Sequence, residues 1–170
     1  REGWIPNNYY GAEVITRIDG RYRRAADAKT FINRVLDSPH IPDVAYVMRG
    51  LLYDRSFRLL TDEEFRRVLF DGGDRAIFKP EKTGRGKNFE VIDPATLDVA
   101  RFRGSQNGVF QRYVRQHAFC HAMTIGSATT LRLTTVLDTA GTVSVRAALI
   151  RVGRREDDRV MSATAVNVPI

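Results

Sequence analysis

The sequence predicts an α+β fold of two lobes, with mainly antiparallel sheets and flanking helices. Three observations carry that prediction. Two amphipathic helical patterns lie in the first 74 residues, and from Arg75 onward the texture turns to β-strand. The longest patterned stretch is a hairpin about Asp138-Thr139-Ala140-Gly141. The lobes are expected at residues 1–74 and 75–170. No linker or low-complexity tract marks the boundary near Asp74.

Residues 4–22 are rich in Asn, Tyr and Gly and are read as an extended lead-in. Ala28, Phe31, Ile32, Val35 and Leu36 then fall at helical spacing, and Ser38-Pro39 ends the pattern. Residues 44–47 and 51–53 read as short strands around Arg49-Gly50. Thr61-Asp62-Glu63-Glu64 is a capping box. It starts a helix over 62–70 with Phe65, Val68 and Leu69 inward and Gly72-Gly73 as its stop. Strands follow at 76–79, 89–92 and 109–114, a helix between His117 and Ile125, and hairpin arms at 130–137 and 142–152.

Composition narrows the function classes. At 43% hydrophobic residues the chain can bury a core, and no stretch approaches the ~20 apolar residues of a membrane helix. The opening Arg1-Glu2-Gly3-Trp4 is not a signal peptide, and cytoplasmic localisation is expected. Cys120 is the only cysteine, which excludes an intrachain disulfide and a multi-cysteine metal site. Lysine and arginine total 27 against 20 acids, a formal +7 that favours an anionic partner. The arginines are scattered in pairs, as solvated surface charge usually is. The chain opens without Met and stops after Val168-Pro169-Ile170, so it is expected to be a piece of a longer protein.

The chemistry-bearing segment is Ile77-Phe78-Lys79-Pro80-Glu81-Lys82-Thr83-Gly84-Arg85-Gly86-Lys87-Asn88. A lysine ending an apolar strand, followed by a loop with two glycines, suits polyphosphate: the lysine supplies charge, and glycines let backbone N–H groups approach oxygens. Asn88 and a strand follow Gly-Lys, so this is not a Walker A sequence. A Gly-x-Gly turn in a basic hairpin is the ordinary alternative.

Lys29, the Lys79 strand with its loop, the strand ending Phe110-Gln111-Arg112-Tyr113-Val114, and the hairpin carrying Arg132 and Arg151 follow one another in an order that resembles the ATP-grasp ligases. The sugar-transfer associated branch is the most similar. There an Arg-x-x-Gly-x-x-Tyr-Asp segment, tighter here as Arg49-Gly50-Leu51-Leu52-Tyr53-Asp54, precedes the Phe-Lys-Pro strand. The resemblance covers about residues 4–160. It implies that Lys29 and Lys79 reach the ATP phosphates and that Thr83, Gly84, Arg85, Gly86 and Lys87 form a mobile flap. It further implies that Gln111, Arg112, Tyr113 and Val114 form the adenine hinge, with the Gln111 oxygen on the exocyclic amine. His117 follows as a ribose contact or, equally, as a helix-starting residue bonded to backbone. Arg132 and Arg151 would be catalytic, facing phosphates and an acyl-phosphate, with ATP between their sheet and that of Lys79.

The implied activity is ATP-dependent carboxylate–amine ligation through an acyl-phosphate. Small-molecule carboxylate and amine substrates are implied, in a saccharide or polysaccharide biosynthetic setting. ATP and Mg are the implied cofactors, and positioning and charge neutralisation do most of the catalysis. The family's metal-binding acid and Glu-x-Asn strand are missing: the chain reads Arg159-Val160-Met161-Ser162-Ala163-Thr164-Ala165-Val166-Asn167 before its last three residues, and no metal ligand is assigned. The fragment is therefore expected to be C-terminally incomplete and inactive by itself. The rivals are a non-catalytic nucleotide- or polyanion-binding module and, less favoured, a nucleic-acid-binding domain. Tyr9, Tyr10, Tyr22 and Tyr113 are not interleaved with arginines on one sheet face, as a stacking surface requires.

Overall fold

The computed structural model describes residues 5–19, 28–81, 83, 89–124, 127–154 and 165–170. The protein is α+β, with antiparallel sheets and a few helices. Chain contacts divide it into two compact units, one of residues 1–81 and 90–112, the other of residues 82–89 and 113–170. Strand 76–80 belongs to the first unit, so the boundary expected near Asp74 falls inside that unit.

The first unit opens on a helical run, α1, made of Asn7–Tyr9, a π-helical Tyr10–Val14 and Ile15–Asp19, where the sequence suggests extended chain. Val14, Ile15 and Ile18 repeat at helical spacing, and Glu13 and Arg17 lie one turn apart at 3.8 Å, local preferences that the polar, tyrosine-rich composition masks. Next come α2 (Lys29–Leu36), β1 (Asp43–Met48), β2 (Leu51–Asp54), α3 (Asp62–Leu69), β3 (Ala76–Pro80), β4 (Glu90–Ile92), α4 (Val99–Arg103) and β5 (Gly108–Arg112). The sheet order is β2-β1-β5-β3-β4, antiparallel at every pairing. Arg49 and Gly50, at φ 51° and 78°, make the two-residue turn between β1 and β2.

Register gives this sheet two unlike faces. Ala45, Phe110, Phe78, Ala76 and Ile92 alternate onto one face, all buried. Helices α3 and α4 close it with Phe65, Leu69, Val99 and Phe102, and rings pack edge-on at 4.9 Å for Phe65–Phe110 and 5.0 Å for Phe102–Phe110. The capping box of α3 forms as its residues dictate: Thr61 Oγ1 accepts from Glu64 N–H, and Glu64 accepts from Thr61 N–H. Gly108 is required by a close approach. A Cβ there would meet the Phe78 ring and stand 2.8 Å from the Lys79 carbonyl.

The opposite face carries Asp43, Tyr46, Gln111, Lys79, Ile77 and Val91. Helix α2 contributes buried Thr30 and Asn33 and leaves Phe31, Val35 and Leu36 exposed. The apolar spacing that reveals the helix is thus not its buried side, because the groups that receive Asn33 are polar.

The second unit holds α5 (Ala118–Met123), β6 (Thr130–Leu137), β7 (Val143–Val152) and β8 (Val166–Pro169), a three-stranded antiparallel sheet in that order. Asp138 Oδ1 accepts from Ala140 and Thr142 N–H and fixes the expected hairpin turn. Strand β8 and helix α4 lie outside the sequence expectations. Among the described residues no helix is long and apolar enough to cross a membrane.

Candidate functional site

The polar face of the first sheet is built around Asp43. Its Oδ1 accepts from Gln111 Nε2 at 2.7 Å and its Oδ2 from Tyr46 Oη at 3.2 Å. Asn33 donates to Tyr46 Oη at 3.5 Å, and Arg55 donates to Asn33 Oδ1 at 3.1 Å. Burial pushes the Asp43 carboxyl above its usual range, against the lowering effects of the Gln111 and Tyr46 hydrogen bonds and of Lys79. Burial likewise raises the Tyr46 hydroxyl to about 12, so it remains a donor to Asp43.

This chain of bonds orients Gln111. A carboxylate only accepts, so Asp43 holds the amide nitrogen, and Gln111 Oε1 has no hydrogen-bond partner among the described residues. Lys79 shares this face in register with Val109, which in turn pairs with Tyr46. Burial lowers its pKa from the usual value; Asp43 opposes that effect and Lys29 reinforces it. Among the described residues the Lys79 ammonium has no hydrogen bond or ion pair. Beside it Val91 is exposed and Ile77 half-buried.

Lys29 is placed differently from a lysine reserved for ligand. Its Nζ donates to the carbonyls of Pro80 at 2.8 Å and Glu81 at 2.6 Å, while Glu81 Oε2 accepts from Thr30 N–H. The first turn of α2 is thereby tied to the end of β3, where Lys79 sits. Glu81 Oε1 is buried without a partner. Thr83 is described, but Gly84, Arg85, Gly86 and Lys87 lie outside the described residues.

The expected hinge is divided between the units. Gln111 and Arg112 end β5 in the first, whereas Tyr113 and Val114 open the second in irregular chain, so the strand stops two residues before the expected Val114. Tyr113, Val114, Arg115, Gln116, His121 and Ser127 line a pocket of about 310 Å³. Gln116 knits its wall, accepting from Thr129 N–H at 2.8 Å and donating to Thr124 Oγ1 at 3.2 Å and the Ser127 carbonyl at 3.4 Å. The Ser127 hydroxyl is buried without a partner. His117 caps α5, its Nδ1 accepting from Phe119 N–H at 3.2 Å, which is the backbone-bonded alternative for this residue.

Register puts Arg132 and Arg151 on one face of the second sheet, along with Thr130 and Asn167, and Arg151 Nε donates to Asn167 Oδ1 at 2.9 Å. The other face is apolar, carrying Leu131, Leu133, Leu137, Val145 and Val168. Among the described residues no group of three or more His, Cys, Asp or Glu is placed to hold a metal ion.

Sequence reasoning missed Asp43, Tyr46, Asn33 and Arg55. The one available signal is an acid and a tyrosine interrupting the apolar run Asp43-Val44-Ala45-Tyr46-Val47. Comparison with known proteins finds no matching family model, no matching curated protein and no matching solved structure.

Proposed function

We propose that this chain is the nucleotide-holding part of an ATP-dependent carboxylate–amine ligase of ATP-grasp type. The observation that carries this reading is the unlike pair of faces on the first sheet. The centre of one face is spent on the core. The other presents a partly buried Lys79 ammonium with no described partner, and a Gln111 oxygen held open by Asp43. An ammonium desolvated with Asp43 nearby but no direct ion pair or hydrogen bond is costly. A polyanion supplies the missing charge, and the open amide oxygen suits an exocyclic amine.

Lys79 would contact the phosphates, and Lys29 would fix the end of β3 that delivers it. In the second unit, the buried Ser127 hydroxyl and the Tyr113–Val114 backbone at a pocket of about 310 Å³ fit a planar base. The shared face of Arg132 and Arg151 suits transferring phosphate and acyl-phosphate oxygens. Taken unit by unit, these groups suit the phosphates and the base of ATP. Mg does not fit, since the described residues lack a ligand group, and no step is routed through it. The second reading is a nucleotide- or polyanion-binding module without catalysis, which needs only the Lys79 and Gln111 groups. Cytoplasmic action on saccharide-linked carboxylates and amines completes the proposed setting.

Thermal-shift titration with ATP, AMP-PNP, GTP and a short oligonucleotide, with and without Mg, tests the reading. Stabilisation selective for adenine nucleotides is expected, and equal stabilisation by every polyanion would leave only a basic surface. By calorimetry, Lys79→Ala should weaken ATP binding by about 1.5–3 kcal/mol, the value of a charge-assisted hydrogen bond. Unchanged affinity would remove Lys79 from the site.

A further inference from the structure

A cavity of the first unit, of about 230 Å³, lies where β1 begins and β5 ends. Ile41, Val44 and Val68 give it an apolar wall, and four charged residues line it: Asp43, Arg55, Asp71 and Arg112. Two of the four are already engaged. Asp43 accepts from Gln111 and Tyr46, and Arg55 donates to Asn33 and to the Ser38 carbonyl at 2.9 Å.

The other two are not. Asp71 and Arg112 are exposed, and among the described residues neither has an ion-pair or side-chain hydrogen-bond partner, nor do they pair with each other. Arg112 is anchored through its backbone, its N–H donating to the Pro42 carbonyl at 2.8 Å, and it pairs with Ala76 on the face that α3 covers. Asp71 lies just beyond the end of α3. One open cation and one open anion thus share a small cavity with an aliphatic wall.

We infer that this cavity binds a small zwitterion, an α-amino acid with an aliphatic side chain. Its carboxylate lies on Arg112, its ammonium on Asp71, and its side chain against Ile41, Val44 and Val68. Charge selects against simpler ligands: a lone anion meets two carboxylates, and a lone cation meets two guanidinium groups. At about 230 Å³ the cavity is of a size to hold a small ligand. The site does not depend on the nucleotide reading, and the two fail separately.

Calorimetric titration of the whole chain with leucine, with 4-methylpentanoate, which lacks the ammonium, and with 3-methylbutylamine, which lacks the carboxylate, tests the assignment. Saturable leucine binding is expected, with each analogue weaker by about ten- to a hundredfold, the loss of one charge-assisted contact. Asp71→Asn should weaken leucine by about tenfold or more and not weaken 4-methylpentanoate, which loses a repulsive carboxylate. Arg112→Gln should do the same for leucine and spare the amine. Both residues are exposed, so thermal unfolding should be unaltered, and the three wild-type titrations decide the matter even if a variant misfolds. No saturable heat with leucine, an analogue binding as tightly as leucine, or a variant that weakens all ligands alike would overturn the inference.

Discussion

In the first unit, α3 and α4 close one sheet face over Ala45, Leu52, Phe78 and Phe110, each at most 5% exposed. In the second, every residue of β6 is exposed and Leu133 keeps 53% of its surface open. The first sheet takes its stability from burial on one side, which frees the other side for costly polar groups such as Asp43 and Lys79. The second is held among the described residues by its ladder, its Asp138 turn and the Gln116 network. A site on the first sheet is therefore preorganised by a packed layer. Among the described residues, the arginine face of the second is held by its ladder and by hydrogen bonds such as Arg151 to Asn167.

The sharpest way to break that contrast is truncation on each sheet. Phe110→Ala removes a fully buried ring that touches Phe65, Phe78 and Phe102, and should cost about 3–5 kcal/mol in chemical denaturation. Leu133→Ala should stay within about 0.5 kcal/mol. If Leu133→Ala cost as much as Phe110→Ala, the apolar face of the second sheet would be covered in solution.

A smaller effect is expected from Gln116→Ala, about 1–3 kcal/mol, because it strands the Thr129 amide and loosens Thr124 and the Ser127 carbonyl. Hydrogen exchange should lose protection around Thr129 while β1 and β5 keep theirs. Loss in both units alike would contradict separate stabilisation. Smaller again, Thr61→Ala removes the side-chain cap of α3 and should cost about 1 kcal/mol, felt in the first unit only.

Local rules made the first unit's strands and α3 legible: the capping residues at Thr61 and Glu64, the turn at Arg49-Gly50 and the apolar runs on either side. The hairpin of the second unit was legible for the same reason. What escaped depends on tertiary pairing. Val99 and Phe102 form α4 in too few residues to show a period, and β8 exists only by pairing with β7. Lys79 draws notice in the sequence because it ends an apolar strand before a glycine loop, and Gln111 only through the resemblance. Asp43 draws none, because its role comes from lying opposite Gln111, 68 residues away. The orientation of α2 was also hidden, since helical periodicity assumes an apolar receiving surface and Asn33 meets Tyr46 instead.

The least effect is expected on acid response, and it sharpens the contrast between two carboxylates of the first unit. Glu64 is half-buried at the start of α3, and the Thr61 backbone N–H, then Arg58, hold its carboxyl down at about 2 from an ordinary 4.5. Its unfolded form binds the proton first, so its contribution is fully present above 4.5 and is lost as pH falls toward 2. Asp43 has the opposite sign. Burial raises its pKa above 3.8, so the folded state takes the proton first, and stability falls as pH rises from 3.8 through the raised value. Glu64→Gln keeps an oxygen for the Thr61 amide and removes the charge. Denaturation midpoints followed from pH 5 to pH 2 should therefore drop less steeply in the variant, with part of the slope remaining because Asp93 is also held low by the Thr96 backbone N–H. An unchanged slope would mean that solvent screening cancels the capping bond, leaving the acid slope to Asp93.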